Sequence, residues 1–120
     1  MMLESIMPSV LSQLKINKSR YSLQVFITSQ IKESGLTPLE PVDGSIIVFL
    51  NKNLSITDLC ISFCHEMVHV KQIVSGKLKP ANNGKIWVGK FFHESTNYMQ
   101  CPWEVQAYSK QEIIFRRCIE

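Results

Sequence analysis

The chain contains no apolar run approaching the ~18 consecutive residues of a membrane-crossing helix. Its opening stretch "MMLESIMPSV" carries Glu4 and no basic region leading into an apolar segment. Neither a bilayer span nor a secretory leader is expected, so the default location is cytoplasmic. Basic clusters are missing too. Net charge is only +3, and the nearest cluster, Arg116 and Arg117, suits the negative end of a C-terminal helix better than a nucleic-acid footprint. Nucleic acid is therefore unsupported as a partner. No Cys-x-x-Cys pair occurs. Of the four cysteines, Cys60 and Cys64 sit four apart in a helical segment and read as small, reduced core residues. Repeats, low-complexity tracts and linkers are also absent. A chain of 120 residues with 45% apolar and 19% charged residues is expected to fold as one domain, 1–120.

What is present is a sequence of well-marked elements. Leu3, Ile6, Met7, Val10, Leu11 and Leu14 follow the three-four spacing of an amphipathic helix, predicted over 3–16. "YSLQVFITSQ" alternates apolar and polar residues and is a first strand. Asp43-Gly44 is a turn signal, and "SIIVFLN" after it is a continuous apolar strand. Ile56, Leu59, Cys60, Phe63, Met67, Val70 and Val74 then lie on one helical stripe, with Ser55 or Thr57 as cap and Gly76 as terminator. "GKLKPANNGKIWVGKFF" reads as a hairpin around Asn83-Gly84, and Pro102 opens a final helix. The expected class is α+β, ordered helix, two strands, helix, hairpin, helix.

Within the best-defined helix stands "CHEMVH". His65 and His69 are one turn apart, so both imidazoles project to the same side, opposite the apolar stripe and beside Asp58, Ser62 and Gln72. Flanked by Ile61, Val68 and Ile73, that polar line suits the floor of a cleft. Two imidazoles so placed can reach one zinc ion at ~2.0–2.1 Å, and a catalytic zinc takes three protein ligands and keeps a position for water. Glu66, turned away from both rings, can take a proton from that water and pass it to a leaving amine. The same spacing also occurs on ordinary solvated helices. "HVKQIVSGK" lacks the glycine and third histidine of the metzincin pattern, which excludes that class. For the third ligand the candidates are Glu104, in the first turn of the last helix, His93 and Cys101. Each has a plainer role available: Glu104 as a carboxylate complementing a helix N-terminus, His93 as a strand residue, and Cys101 as packing.

"HEMVH", then "WVGK", then Tyr98 and "PWEVQAY", resembles the small phage-encoded metallopeptidases of zincin fold, close to a minimal gluzincin, over about residues 57–111. The resemblance implies a small zincin-like domain whose active-site helix packs on a short sheet beside a C-terminal helix. It also implies Zn2+ held by His65, His69 and Glu104, with Glu66 as catalytic base. Tyr98 or Tyr108 is the candidate oxyanion stabiliser, with ring packing as the plainer alternative, and the substrate is a peptide or protein, met in host cytoplasm if the chain is phage-encoded. The chain departs from larger gluzincins at Tyr108, which stands where an aspartate orients the first histidine, so the groups behind the ligands must differ. SprT-like proteases acting on DNA-bound proteins share the signature but use a third histidine, a role His93 would have to fill. Other readings are a non-catalytic zinc-stabilised binding or regulatory module, in which His93 or Cys101 completes the ligand set, and a metal-free phage structural or host-interaction protein. "SIIVFLN" is expected near the active-site helix as an edge strand that pairs with extended substrate.

Overall fold

The computed structural model describes residues 2–16 and 21–120. Its elements are α1 (Met2–Gln13), β1 (Ser22–Thr28), β2 (Gly35–Leu36), β3 (Ser45–Asn51), α2 (Ile56–Val74), β4 (Leu78–Ala81), β5 (Gly84–Trp87), β6 (Lys90–His93), a 3-10 turn (Tyr98–Gln100) and α3 (Pro102–Ile119). The α+β class is as expected: three helices, two small sheets and a C-terminal helix.

Helix α2 is the hub. It packs on β3, α1, α3, β2 and β4, so the segment from Phe63 to Val70 is buried on every side rather than along one stripe. Phe63, Cys64 and Met67 are fully enclosed, with Val10 of α1, Val48 and Leu50 of β3, and Ala107 of α3. Each large apolar side chain so enclosed contributes roughly 1.5–3 kcal/mol. The hydroxyl of Ser55 accepts from the Asp58 amide and opens α2. Gly76, at φ 77°, follows the helix end in the left-handed region that side chains avoid. Helix α1 stops at Gln13 rather than 16, because Lys15 turns to φ 57°.

One expectation fails in the first sheet. Its order is β1-β3-β2, with β1 parallel and β2 antiparallel to β3. "SIIVFLN" is therefore the central strand, paired along its length with β1 and at Phe49 and Leu50 with β2, and not the edge expected. The edge beside α2 belongs to β2, which is two residues long and left no periodic pattern to read. Ile46, Val48 and Leu50 bury one face of this strand while Ile47 and Phe49 half-bury the other, so the run is apolar throughout, a pattern that says nothing about position within the sheet.

The hairpin is a three-stranded antiparallel meander, β4-β5-β6. Ala81 pairs with Gly84, so the first turn is Asn82-Asn83, one residue earlier than expected. The second turn, Val88-Gly89, holds an exposed β-branched residue at φ 49°, a strained conformation for valine. This sheet covers Trp103: Phe92 meets the indole edge-to-face at 5.4 Å, and Lys85 lies 5.3 Å from its ring centre. With Leu78 and Cys101, Trp103 forms a second, smaller core that anchors the start of α3.

Candidate metal centre

Because α2 is enclosed, its polar line is not a solvated face. His65, Glu66 and His69 are all buried, although the two histidines lie opposite the apolar stripe. Helix α3 runs across them and brings Glu104 to both rings. Its Oε1 lies 3.1 Å from Nε2 of His65 and 3.2 Å from Nε2 of His69. Donor atoms around a tetrahedral zinc ion are separated by roughly 3.3 Å, given ligand distances of ~2.0–2.1 Å. The observed spacings fall within a few tenths of an ångström of that. Three lone-pair-bearing atoms buried this close together require positive charge between or on them, either as protons or as a cation. The donor set of two imidazoles and one carboxylate suits zinc.

Each imidazole is held from behind. Nδ1 of His65 is 2.7 Å from Oε1 of Gln111 on α3, and Nδ1 of His69 is 2.8 Å from Oε1 of Gln72 on α2. A carboxamide oxygen accepts from N–H at Nδ1, and Nε2 of each ring is turned toward Glu104. Tyr108, standing where larger gluzincins place an aspartate, packs its ring against His65 at 4.6 Å instead. The orienting group comes from Gln111, nearly one turn later.

Glu66 has separate partners. Its Oε1 accepts from the Thr37 hydroxyl at 2.7 Å, while Gly35 of β2 closes over its stem. The Glu66 carboxylate, His65 and His69 each present an atom within 4.8 Å of the others, so by distance this carboxylate too could join the two imidazoles around a metal ion. Burial raises its proton affinity above the usual carboxylate range, offset in part by His69, Thr37 and His65. For Glu104 burial acts the same way, but hydrogen bonds from His65, His69 and Tyr98 prevail and hold its carboxyl well below that range. Burial would lower His69; the bond to Glu104 and the charges of Glu104 and Glu66 outweigh it and raise the imidazole.

Tyr98 donates to Oε1 of Glu104 at 2.9 Å. Burial, then hydrogen bonding with Tyr108 and Glu104, pushes its phenol far up, so it stays a proton donor. The rings of Tyr98 and Tyr108 meet edge-on at 6.3 Å. Both line a cleft of about 520 Å³ with Gly35, His65 and Glu66, and a second cleft of about 480 Å³ reaches Tyr98 and Glu104 from the β4-β5-β6 side.

The rival ligands are engaged elsewhere. His93 is exposed on β6, its Nδ1 2.8 Å from the Ser95 hydroxyl. Cys101 is buried in the small core and donates its thiol to the Asn97 carbonyl at 3.5 Å. Cys60 and Cys64 are enclosed core thiols, and burial, with the neighbouring cysteines, pushes Cys64 up to about 12.

The residues not singled out by sequence as parts of the site are Gln72, Gln111, Thr37 and Gly35. Gln72 follows His69 by three positions and Gln111 follows Glu104 by seven, both same-face helical spacings that could have marked them. Thr37 and Gly35 carried no such signal. Among the described residues no helix is long and apolar enough to cross a membrane. No family model, curated protein or solved structure matches this chain.

Proposed function

We propose that this chain is a zinc-dependent peptidase of zincin type that hydrolyses peptide bonds. The observation that supports this best is the approach of one Glu104 oxygen to within 3.1 and 3.2 Å of two imidazole nitrogens, with the Glu66 carboxylate held separately by Thr37. Zinc bound by His65, His69 and Glu104 would supply Lewis acidity toward a peptide carbonyl and toward water. Glu66, kept basic by burial and aimed by Thr37, takes the proton from attacking water and delivers it to the leaving amine. Tyr98 and Tyr108 present phenols at the cleft wall, in place to donate to the carbonyl oxygen as it gains negative charge. The unpaired edge of β2, not β3, lies over Glu66 and can hydrogen-bond an extended peptide backbone.

A non-catalytic zinc module would close the metal with four protein ligands. The engagement of His93 with Ser95 and of Cys101 with Asn97 weighs against that reading, as does the hold of Thr37 on Glu66.

Metal analysis and a peptide-library digest test the proposal together. Wild-type protein should carry about one zinc per chain and cleave; Glu66→Gln should keep the metal and lose cleavage; Glu104→Gln should lose the metal. Protein that neither retains nor takes up zinc overturns the reading, and so does full turnover by Glu66→Gln.

A further inference from the structure

Of the 13 lysines and arginines and 10 acids in the chain, four lysines and no acid fall between Lys77 and His93, the stretch that contains β4-β5-β6. The basic excess of the molecule therefore sits on this one sheet. Pairing register decides which way its lysines stand. Lys85 is opposite Pro80 and Phe92, and Trp87 is opposite Leu78 and Lys90. Residues opposite one another, or two apart on a strand, share a face, so Lys85 stands on the side of Leu78, Trp87 and Phe92, which packs on Trp103. Lys79 takes the outer face. Lys85 is half-buried, its Nζ 5.3 Å from the centre of the Trp103 ring. Among the described residues it has no ion-pair partner; the ion pairs present join Glu104 to the two histidines. An aromatic face attracts an ammonium, but it does not match a carboxylate as acceptor for the three N–H donors.

That side chain lines the cleft of about 480 Å³ beneath the sheet, which also reaches Tyr98 and Glu104. The first cleft is lined by Tyr98, His65 and Glu66, so both border the candidate metal centre. Two acids share the second cleft with Lys85. Glu104 is engaged by both imidazoles and Tyr98, and Glu94 is exposed. Neither is paired with Lys85. A cation partly withdrawn from water, without a counter-charge of its own, favours an anionic ligand. The rings of Trp103 and Phe92 line the same cleft and suit the methylenes that carry a carboxylate. We infer that this cleft is a subsite for a substrate carboxylate and that Lys85 is the residue that selects it. The inference rests on the peptidase reading, which makes the cleft one arm of the path a peptide takes past the metal centre. It narrows the substrate class to peptides bearing a carboxylate on the β4-β5-β6 side of the scissile bond. An aspartate or glutamate side chain and a free C-terminus offer the same group, and the experiment separates them.

The test uses full-length, zinc-loaded protein and peptides matched in pairs. In one series each position near the scissile bond holds either glutamate or glutamine; in the other the chain end is a free acid or an amide. Wild type should cleave the carboxylate member of one pair with a kcat/KM roughly tenfold higher, as a charge-assisted contact would give. A preference at one internal position assigns the group to a side chain, and a preference only between free acid and amide assigns it to the chain end. Lys85→Met, which keeps an apolar stem over Trp103, should bring the ratio to within twofold. Lys85→Glu should invert it, favouring lysine over glutamine at that position, or the amide over the free acid. Thermal unfolding checks that both variants fold; if Lys85→Glu does not, Lys85→Met decides. Equal cleavage of every pair by wild type overturns the inference, as does an unchanged ratio in Lys85→Met. If no peptide is cleaved, the peptidase reading falls, and fluorescence anisotropy of the same pairs, dye-labelled, decides the subsite. Tighter binding of the carboxylate member by wild type, lost in Lys85→Met, supports it; equal or absent binding overturns it.

Discussion

A β-carbon on Gly35 would lie 2.8 Å from Cγ of Glu66 and 2.9 Å from its Oε2. Strand β2, at the edge of the first sheet, and the proposed base are therefore closely packed, and the absence of a side chain at 35 allows it. That contact joins the sheet to the site.

Gly35→Ala is expected to displace Glu66, whose carboxylate is buried and held on its other side by Thr37. A shift of about 1 Å in a reacting group costs on the order of 10²-fold in rate. Turnover of a cleaved peptide should fall by that order while zinc content stays at wild-type level. Turnover within threefold of wild type would show that β2 does not position the base.

Thr37→Val removes the hydroxyl that favours the ionised form of Glu66. The carboxyl, already raised by burial, should rise further. Because the base must be unprotonated, the acid limb of kcat/KM should move to higher pH with the alkaline limb unchanged. An unmoved acid limb would assign that limb to another group.

For Tyr98 two roles can be separated. Its hydroxyl bonds to Glu104, so if it chiefly orients the carboxylate, Tyr98→Phe should weaken zinc binding. If it chiefly stabilises charge on the substrate, kcat should fall by about 10²–10³-fold at unchanged zinc affinity, the magnitude typical of losing one such donor. The edge-on stacking with Tyr108 should survive either way. We expect the kcat effect to dominate, because two imidazoles already face Glu104.

In protein stripped of metal by chelation, the buried cluster should govern stability against pH. Glu104 is depressed, so its contribution is present above the ordinary carboxylate value of about 4.3 and is lost as pH falls through its folded value. His69 and Glu66 are raised, so their contributions are present below their unfolded values and are lost as pH rises through the folded ones. Metal-free stability should thus peak in mildly acid solution and decline toward neutrality. Zinc needs deprotonated ligands and should act in the opposite sense. The difference in Tm between loaded and stripped protein should widen as pH rises from acid to neutral; a constant difference would disconnect these groups from the metal.

The legible parts of the site are those that share one helix. His65, Glu66 and His69 were readable because α-helical geometry alone sets their relative directions, and the cap at Ser55 and the stop at Gly76 bounded the element that carries them. Glu104 was one of three candidates by residue type and was singled out by resemblance; its approach to both rings depends on how α3 crosses α2. The helical wheel placed the histidines on a cleft floor, but it shows one apolar stripe and not that α1, α3 and both sheets close around the rest.

From sequence alone came the class, the identity of the long helices and the pair of histidines, because each depends on contacts between residues a few positions apart. Only the tertiary structure decided that β3 is central and β2 the free edge, that Gly35 and Thr37 enclose Glu66, and that Gln72 and Gln111 stand behind the rings. Those relations join segments far apart in the chain. Their geometry follows from how whole elements pack to bury apolar surface, and no local periodicity records it.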